Sequence, residues 1–91
     1  MKELESLRGK INKLDRQIMR LLDERFRVCR EIGRLKAASS SPVLDEGREK
    51  AILEKISAAN LKYSREIAGV YRRIMEESRG IQQRVLNEED N

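Results

Sequence analysis

The feature that most constrains this chain is an apolar seam at alternating spacings of three and four residues. Its members are Leu4, Leu7, Ile11, Leu14, Ile18, Leu21, Val28, Ile32 and Leu35, with Arg25 in the one remaining position. This spacing is typical of one face of a long α-helix. Gly9 and Gly33 lower helix propensity only locally. The pattern therefore predicts a single helix from about residue 2 to about residue 38.

A helix of this length is too long for the rest of the chain to cover. About 35 residues at 1.5 Å each form a rod of roughly 50 Å. A compact chain of 91 residues is only about 30 Å across. Because the apolar seam continues to both ends of the rod, a second chain must bury the overhang. We therefore expect an intertwined two-fold homodimer.

A serine-rich break separates the first helix from two shorter ones. The segment AASSSPVL contains a serine cluster and a proline, and Asp45 after it can cap the next helix. We predict a second helix at about 45–59 and a third at about 64–87, followed by a polar, frayed tail, NEEDN. The chain is thus predicted to be a single all-α domain over residues 1–91, with three helices per chain.

The composition excludes several kinds of site. The single cysteine, Cys29, rules out a disulfide or a cysteine-based metal site within one chain, and the sequence has no histidine. A lone cysteine in an apolar pattern is more typical of the core than of a reactive thiol. The net charge of +4 is interspersed, which favours a solvated surface over nucleic-acid binding. No segment resembles a signal peptide or a membrane span, so we expect a soluble, cytoplasmic protein.

Several polar residues stand where the helical periods require apolar ones. Arg25 occupies a seam position, Lys36 lies three turns farther along nearly the same face, and Arg8 lies at the seam edge. The two later helices add Asp45, Glu49, Ser78 and Gln82. Such a set suits a small ligand with two carboxylates and a hydroxyl, because arginine binds carboxylate in bidentate fashion. Taken singly, Arg25 is as typical of a snorkelling side chain, and Asp45 of a helix cap.

Three segments of the chain resemble the all-α, type II chorismate mutase family. They read LRGKINKLDRQIMRLLDERFRVCREIGRLK from Leu7, PVLDEGREKAIL from Pro42 and ESRGIQQRVL from Glu77. The resemblance implies three helices per chain in an intertwined dimer with two active sites. It also implies an isomerase that rearranges chorismate to prephenate in phenylalanine and tyrosine biosynthesis.

The resemblance further implies a role for each polar residue. One chain would supply Arg25, Lys36, Asp45, Arg48, Glu49, Ser78 and Gln82, and the partner chain would supply Arg8. Arg8, Arg25 and Lys36 would hold the two carboxylates, with help from Ser78. Lys36 and Gln82 would reach the ether oxygen of the breaking bond. Glu49, with the Asp45 region, would take the ring hydroxyl, and Arg48 would either bind substrate or support the site structurally.

The implied chemistry fits a chain without histidine. The rearrangement is pericyclic, so it needs no nucleophile, general base, metal or cofactor. The site must hold the reactive shape of the substrate and stabilise negative charge on the ether oxygen. Two alternatives stay open: an isochorismate pyruvate lyase on the same fold, and a regulatory helical module. Asp45 and Glu49 favour the mutase over the lyase, and a regulatory module would not explain the ordered polar set.

Overall fold

The computed structural model describes residues 1–89, which form three helices. Helix α1 spans Lys2–Ser39, α2 spans Glu46–Ala58 and α3 spans Ser64–Glu89. The all-α fold and the very long first helix are therefore confirmed. The chain measures 55 × 29 × 14 Å, and the length of α1 accounts for the longest dimension. Within residues 1–89, no helix combines the length and the hydrophobicity that crossing a membrane requires.

The helix ends follow from local hydrogen bonds. α1 ends where Ser40 adopts a left-handed conformation with φ of 55°, and the Ser40 N–H closes the last turn. α2 begins after Asp45, whose carboxylate accepts a hydrogen bond from the Arg48 N–H at 3.0 Å, so the predicted cap is confirmed. α3 continues through residues 87–89, two residues beyond its predicted end, and the expected fraying of NEEDN stays a prediction. The last two residues of that tail lie outside the described part of the chain.

The core lies between α3 and the C-terminal half of α1, and α2 packs on α3. The buried stripe of α1, here named the inner stripe, consists of Leu22, Phe26, Cys29 and Gly33, which are partly or fully buried. Each of these residues follows a member of the predicted seam by one position. The inner stripe is therefore rotated by about 100° around the helix from the apolar seam.

Gly33, the last residue of the inner stripe, lies at a close approach between α1 and α3. A Cβ at this position would lie 3.0 Å from the Cα of Gln82, so a larger residue would force the backbone of α3 to shift. Gly33 thus permits α1 and α3 to approach closely, and it places Gln82 beside Lys36, one turn farther along α1. The sequence indicates only a local loss of helix propensity at Gly33, whereas the structure shows that this glycine also permits the two helices to pack closely.

The apolar seam itself stays exposed in the single chain. Leu7, Ile11 and Leu14 are 57%, 55% and 52% exposed, and toward the other end of α1 Leu35 is 72% exposed. Large aliphatic side chains repeated along one face are unusual on the surface of a monomeric protein. Helices α2 and α3 leave the N-terminal part of this face open, so it is available to another chain, whereas Val28 and Ile32 border the space between the three helices.

Candidate active site

A cavity of about 410 Å³ opens between the three helices, and each helix contributes polar side chains to it. The charged and neutral polar lining consists of Arg25, Lys36, Asp45, Arg48, Glu49, Ser78, Arg79 and Gln82. Aliphatic side chains such as Ile32 and Ile52 complete the wall. Four cations and two carboxylates leave a net charge of +2 in the cavity. Such a cavity attracts a small anion with two negative charges.

Lys36 and Gln82 form the centre of the hydrogen-bond network. The Lys36 ammonium donates to Gln82 Oε1 at 2.9 Å and to the backbone oxygen of Val43 at 2.7 Å. An ammonium group has three protons, so one remains for a ligand. Gln82 is only 7% exposed, and its carbonyl oxygen is occupied by Lys36, which leaves its NH₂ group as the donor. The pair therefore presents one charged and one neutral donor side by side.

Arg25 is held from three sides. Its Nη1 donates to Ser78 Oγ at 2.8 Å and lies 3.8 Å from the sulfur of Cys29, and its guanidinium carbon lies 5.9 Å from the centre of the Tyr71 ring. The Ser78 hydroxyl donates its own proton to the backbone oxygen of Ile74 at 2.8 Å. Ser78 therefore acts here as an acceptor that orients Arg25. A guanidinium held in this way is presented to the cavity instead of snorkelling to bulk water.

The first turn of α2 supplies the acidic side of the cavity. Asp45 caps the helix, and Glu49 follows one turn later. Both carboxylate oxygens of Glu49 lie 2.6 Å from Nη1 of Arg79 on α3. This charge-assisted contact bridges α2 and α3 across the cavity. The carboxylate still has lone pairs for a further donor.

Both the sequence and the fold of this chain match known proteins. The profile of the chorismate mutase type II family matches residues 7–83. The chain belongs to the type II chorismate mutase family. A bifunctional chorismate mutase/prephenate dehydratase of Aquifex aeolicus is 38% identical over 69 residues, which are 76% of this chain and 18% of that protein. The corresponding bifunctional protein of Buchnera aphidicola is 33% identical over 88 residues, which are 93% of this chain and 23% of that protein.

The fold is shared with a solved chorismate mutase over nearly its whole length. The crystal structure of chorismate mutase from Helicobacter pylori in complex with prephenate matches with a TM-score of 0.87 and 31% sequence identity. The match covers 97% of this chain and 98% of that one. By contrast, the chain spans about a fifth of the length of the two bifunctional relatives.

The structure brings together seven of the eight residues that the resemblance to chorismate mutases implies. All seven that were expected from one chain line the same cavity. The eighth, Arg8, is exposed on the N-terminal part of α1 and does not line the cavity of its own chain. The expectation that Arg8 serves a different chain stays a prediction.

Among the residues that contact this set and that the sequence prediction does not include are Tyr71 beside Arg25 and Arg79 on Glu49. The spacing of residues along α3 could have indicated that both of them lie near the site. Tyr71 precedes Ser78 by seven residues, or two turns, and Arg79 precedes Gln82 by three, so each shares a face with a predicted site residue. The partner of each residue lies on another helix, and the sequence does not give that pairing.

Proposed function

We propose that this protein is a chorismate mutase that catalyses the intramolecular rearrangement of chorismate to prephenate. The observation that carries the proposal is the pair of donors formed by Lys36 and Gln82 in a cavity with excess positive charge. Chorismate is a dianion with an ether bridge and a ring hydroxyl. The cavity offers cations for the carboxylates, donors for the ether oxygen and Glu49 for the hydroxyl. Membership of the family supports the same assignment.

In the proposed mechanism the site acts by restraint and by charge stabilisation. Arg25 binds a carboxylate, the positive charge of Lys36 attracts both carboxylates, and Glu49 accepts a hydrogen bond from the ring hydroxyl, which together hold the chair-like reactive shape. As the C–O bond stretches, negative charge grows on the ether oxygen. The free proton of Lys36 and the amide of Gln82 stabilise that charge. Each preorganised donor of this kind contributes about 3–4 kcal/mol.

The other lining residues have supporting roles in this mechanism. Ser78 assists carboxylate binding through its hydrogen bond to Arg25. Asp45 fixes the first turn of α2 by capping the Arg48 N–H, and so keeps Glu49 at the cavity wall. The Arg48 side chain adds positive charge at the same wall.

We further propose that the chain forms an intertwined two-fold homodimer. The exposed apolar seam of α1 supports this, because pairing with a second copy would bury the same face on both chains. Arg8 is adjacent to seam residue Leu7, so the seam of one copy would carry Arg8 toward the other. In this arrangement each active site is completed by Arg8 of the partner chain.

The proposed product also suggests a metabolic setting. The bifunctional relatives join a mutase to a prephenate dehydratase, an activity that acts on prephenate. We therefore place the reaction in phenylalanine and tyrosine biosynthesis, in the cytoplasm. We also propose that residues 1–91 form a single domain, because α3 packs on both other helices.

The direct test is to add the purified chain to chorismate and to follow the loss of chorismate absorbance together with prephenate formation. Equal molar amounts lost and formed are expected. Pyruvate release from isochorismate, with no prephenate from chorismate, would establish the lyase instead. If a folded chain had neither activity, the remaining hypothesis would be that the protein is a regulatory helical module.

The shared site has its own test in mixed dimers. Arg8→Ala and Arg25→Ala chains should each lose most of their activity, because a carboxylate then lacks its bidentate partner. In a mixed dimer one site carries both changes and the other carries neither, so the mixture should regain about one intact site per dimer. Mass analysis confirms that mixed dimers have formed. Mixed dimers without activity would contradict the contribution of Arg8 across chains.

A further inference from the structure

The ion pair between Glu49 and Arg79 differs from an ordinary surface pair. Its side chains are 24% and 34% exposed, and both residues line the cavity. By comparison, the pair of Arg73 with Glu77 on the outer side of α3 has side chains 69% and 49% exposed. Screening by water weakens the exposed pair more strongly than the cavity pair. The contact between Glu49 and Arg79 therefore holds its side chains in place more strongly than the contact between Arg73 and Glu77 does.

The geometry of this pair leaves room for a ligand. One nitrogen, Nη1 of Arg79, lies 2.6 Å from both oxygens of Glu49. An ionised carboxylate can accept about four hydrogen bonds, so acceptor positions remain on the side facing the cavity. Because Nη1 is held by Glu49, this carboxylate is one route by which Arg79 can affect a substrate.

The ion pair between Glu49 and Arg79 also connects two helices that line the cavity. Arg79 and Gln82 lie three residues apart on the same face of α3, whereas Glu49 is on α2. The ion pair therefore ties the acidic wall of the cavity to the helix that carries the amide donor. The link thus connects Glu49, the proposed acceptor of the ring hydroxyl, to the helix of Gln82.

We propose that Arg79 is a positioning residue, which orients the Glu49 carboxylate to accept a hydrogen bond from the ring hydroxyl of the substrate. The inference rests on the proposed mutase function and adds a residue that neither the resemblance nor the composition supplied. Arg79 also provides one of the four cations that give the cavity its net positive charge. Its removal should weaken substrate binding through the loss of orientation and through the loss of charge.

A double-mutant cycle separates these two effects. Arg79→Met should raise KM by about tenfold to a hundredfold and change kcat little, because the ring hydroxyl makes the same bond in substrate and transition state. In a Glu49→Gln background the same change should raise KM by only about twofold to threefold, the part due to charge alone. Equal increases in the two backgrounds would overturn the proposal, since Arg79 would then act independently of Glu49.

A substrate analogue provides the second readout. With a chorismate analogue in which hydrogen replaces the ring hydroxyl, wild type and Arg79→Met should differ only by the same small charge effect. A merely structural loss of the cavity would instead reduce binding of chorismate and of the analogue equally. An undiminished effect of Arg79→Met on the analogue would overturn the role assigned to Glu49.

Two further variants control for folding and for charge. Arg73→Met removes an arginine from the same helix but from an exposed pair, and it should keep the wild-type KM. Arg79→Lys keeps the charge and should recover part of the affinity. Circular dichroism checks the folding of each variant, and Arg79→Lys replaces Arg79→Met in the double-mutant cycle if Arg79→Met does not fold. Wild-type turnover of chorismate is measured first. No turnover would refute the proposed function, whereas normal turnover with an uncoupled Arg79 would refute this inference alone.

Discussion

The two faces of α1 differ in a way that their amino-acid types do not suggest. The apolar seam consists almost entirely of Leu, Ile and Val, and it is exposed in the chain. The inner stripe includes Cys29 and Gly33, and it is the face that packs in the core. If a single chain decided burial, the most apolar face would lie inside. If the proposed dimer forms, the hydrophobic period of α1 reports the burial of a face in the whole assembly, and not the identity of the chain that buries it.

The two faces are also specialised for different contacts. The inner stripe permits a close approach, because Gly33 has no Cβ to separate α1 from α3. The seam presents large side chains, which suit packing between complete copies. The catalytic geometry depends on both faces in the proposed assembly, since the inner stripe places Gln82 beside Lys36 and the seam would carry Arg8 to the partner.

The largest effect is expected from a charge placed in the seam. Ile11→Glu would bury an unpaired carboxylate in the proposed dimer interface of each copy, at a cost of several kcal/mol per copy. Sedimentation at micromolar concentration should show monomers, and chorismate turnover should fall by about two orders of magnitude or more because Arg8 is lost from the other site. Lys13→Glu, two residues along on the opposite side of α1, is the matched control and should keep dimer and activity. A fully active dimer of Ile11→Glu would show that the seam is not the interface.

A smaller and pH-dependent effect is expected opposite the inner stripe, at Gln82. In Gln82→Glu an ionised carboxylate beside the ether oxygen would repel the developing charge, and it could donate only when protonated. We expect kcat at pH 7.5 to fall by about a hundredfold to a thousandfold, and to recover on acidification, while the wild type changes much less. The pH–rate profiles of the two proteins provide the measurement, with folding checked by circular dichroism at each pH.

The neighbouring residue provides the control for this change. Gln83 is exposed and forms a hydrogen bond with Asn87 on the same helix, outside the cavity. Gln83→Glu introduces the same charge and should follow the wild-type profile. If Gln82→Glu also followed it, the amide of Gln82 would have no contact with the reacting oxygen, and the mechanism would depend on Lys36 alone.

The smallest effect is expected on the free energy of unfolding, when Gly33 of the inner stripe is replaced. Gly33→Ala places a Cβ against the Cα of Gln82, and overpacking of about 1–3 kcal/mol should exceed the gain of about 1 kcal/mol in helix propensity. Gly69→Ala is the matched control, because a Cβ there meets nothing within 4 Å and the propensity gain should remain. Urea unfolding should therefore shift the midpoints of the two variants in opposite directions. A stabilised Gly33→Ala would show that α1 and α3 are not held in close approach.

Much of the site could be predicted from residue types and spacing, together with the family resemblance. The set Arg25, Lys36, Asp45, Arg48, Glu49, Ser78 and Gln82 lines one cavity, as the resemblance implied. The orientation of these residues could not be predicted. The Ser78 hydroxyl donates to its own helix and accepts from Arg25, and Arg79 holds Glu49, because each side chain takes the nearest partner that the packed helices provide.

The sequence by itself determined the elements of this protein: a long first helix, a break capped by Asp45, and two further helices. These depend on periodicity, propensity and capping, which act over a few residues. Only the tertiary structure decided which face of α1 is buried within the chain and which donors meet. The contact of Lys36 with Gln82 joins positions 46 apart in the chain, and that of Arg79 with Glu49 joins positions 30 apart. Such contacts depend on how closely whole helices approach, and a single missing Cβ at Gly33 sets that distance.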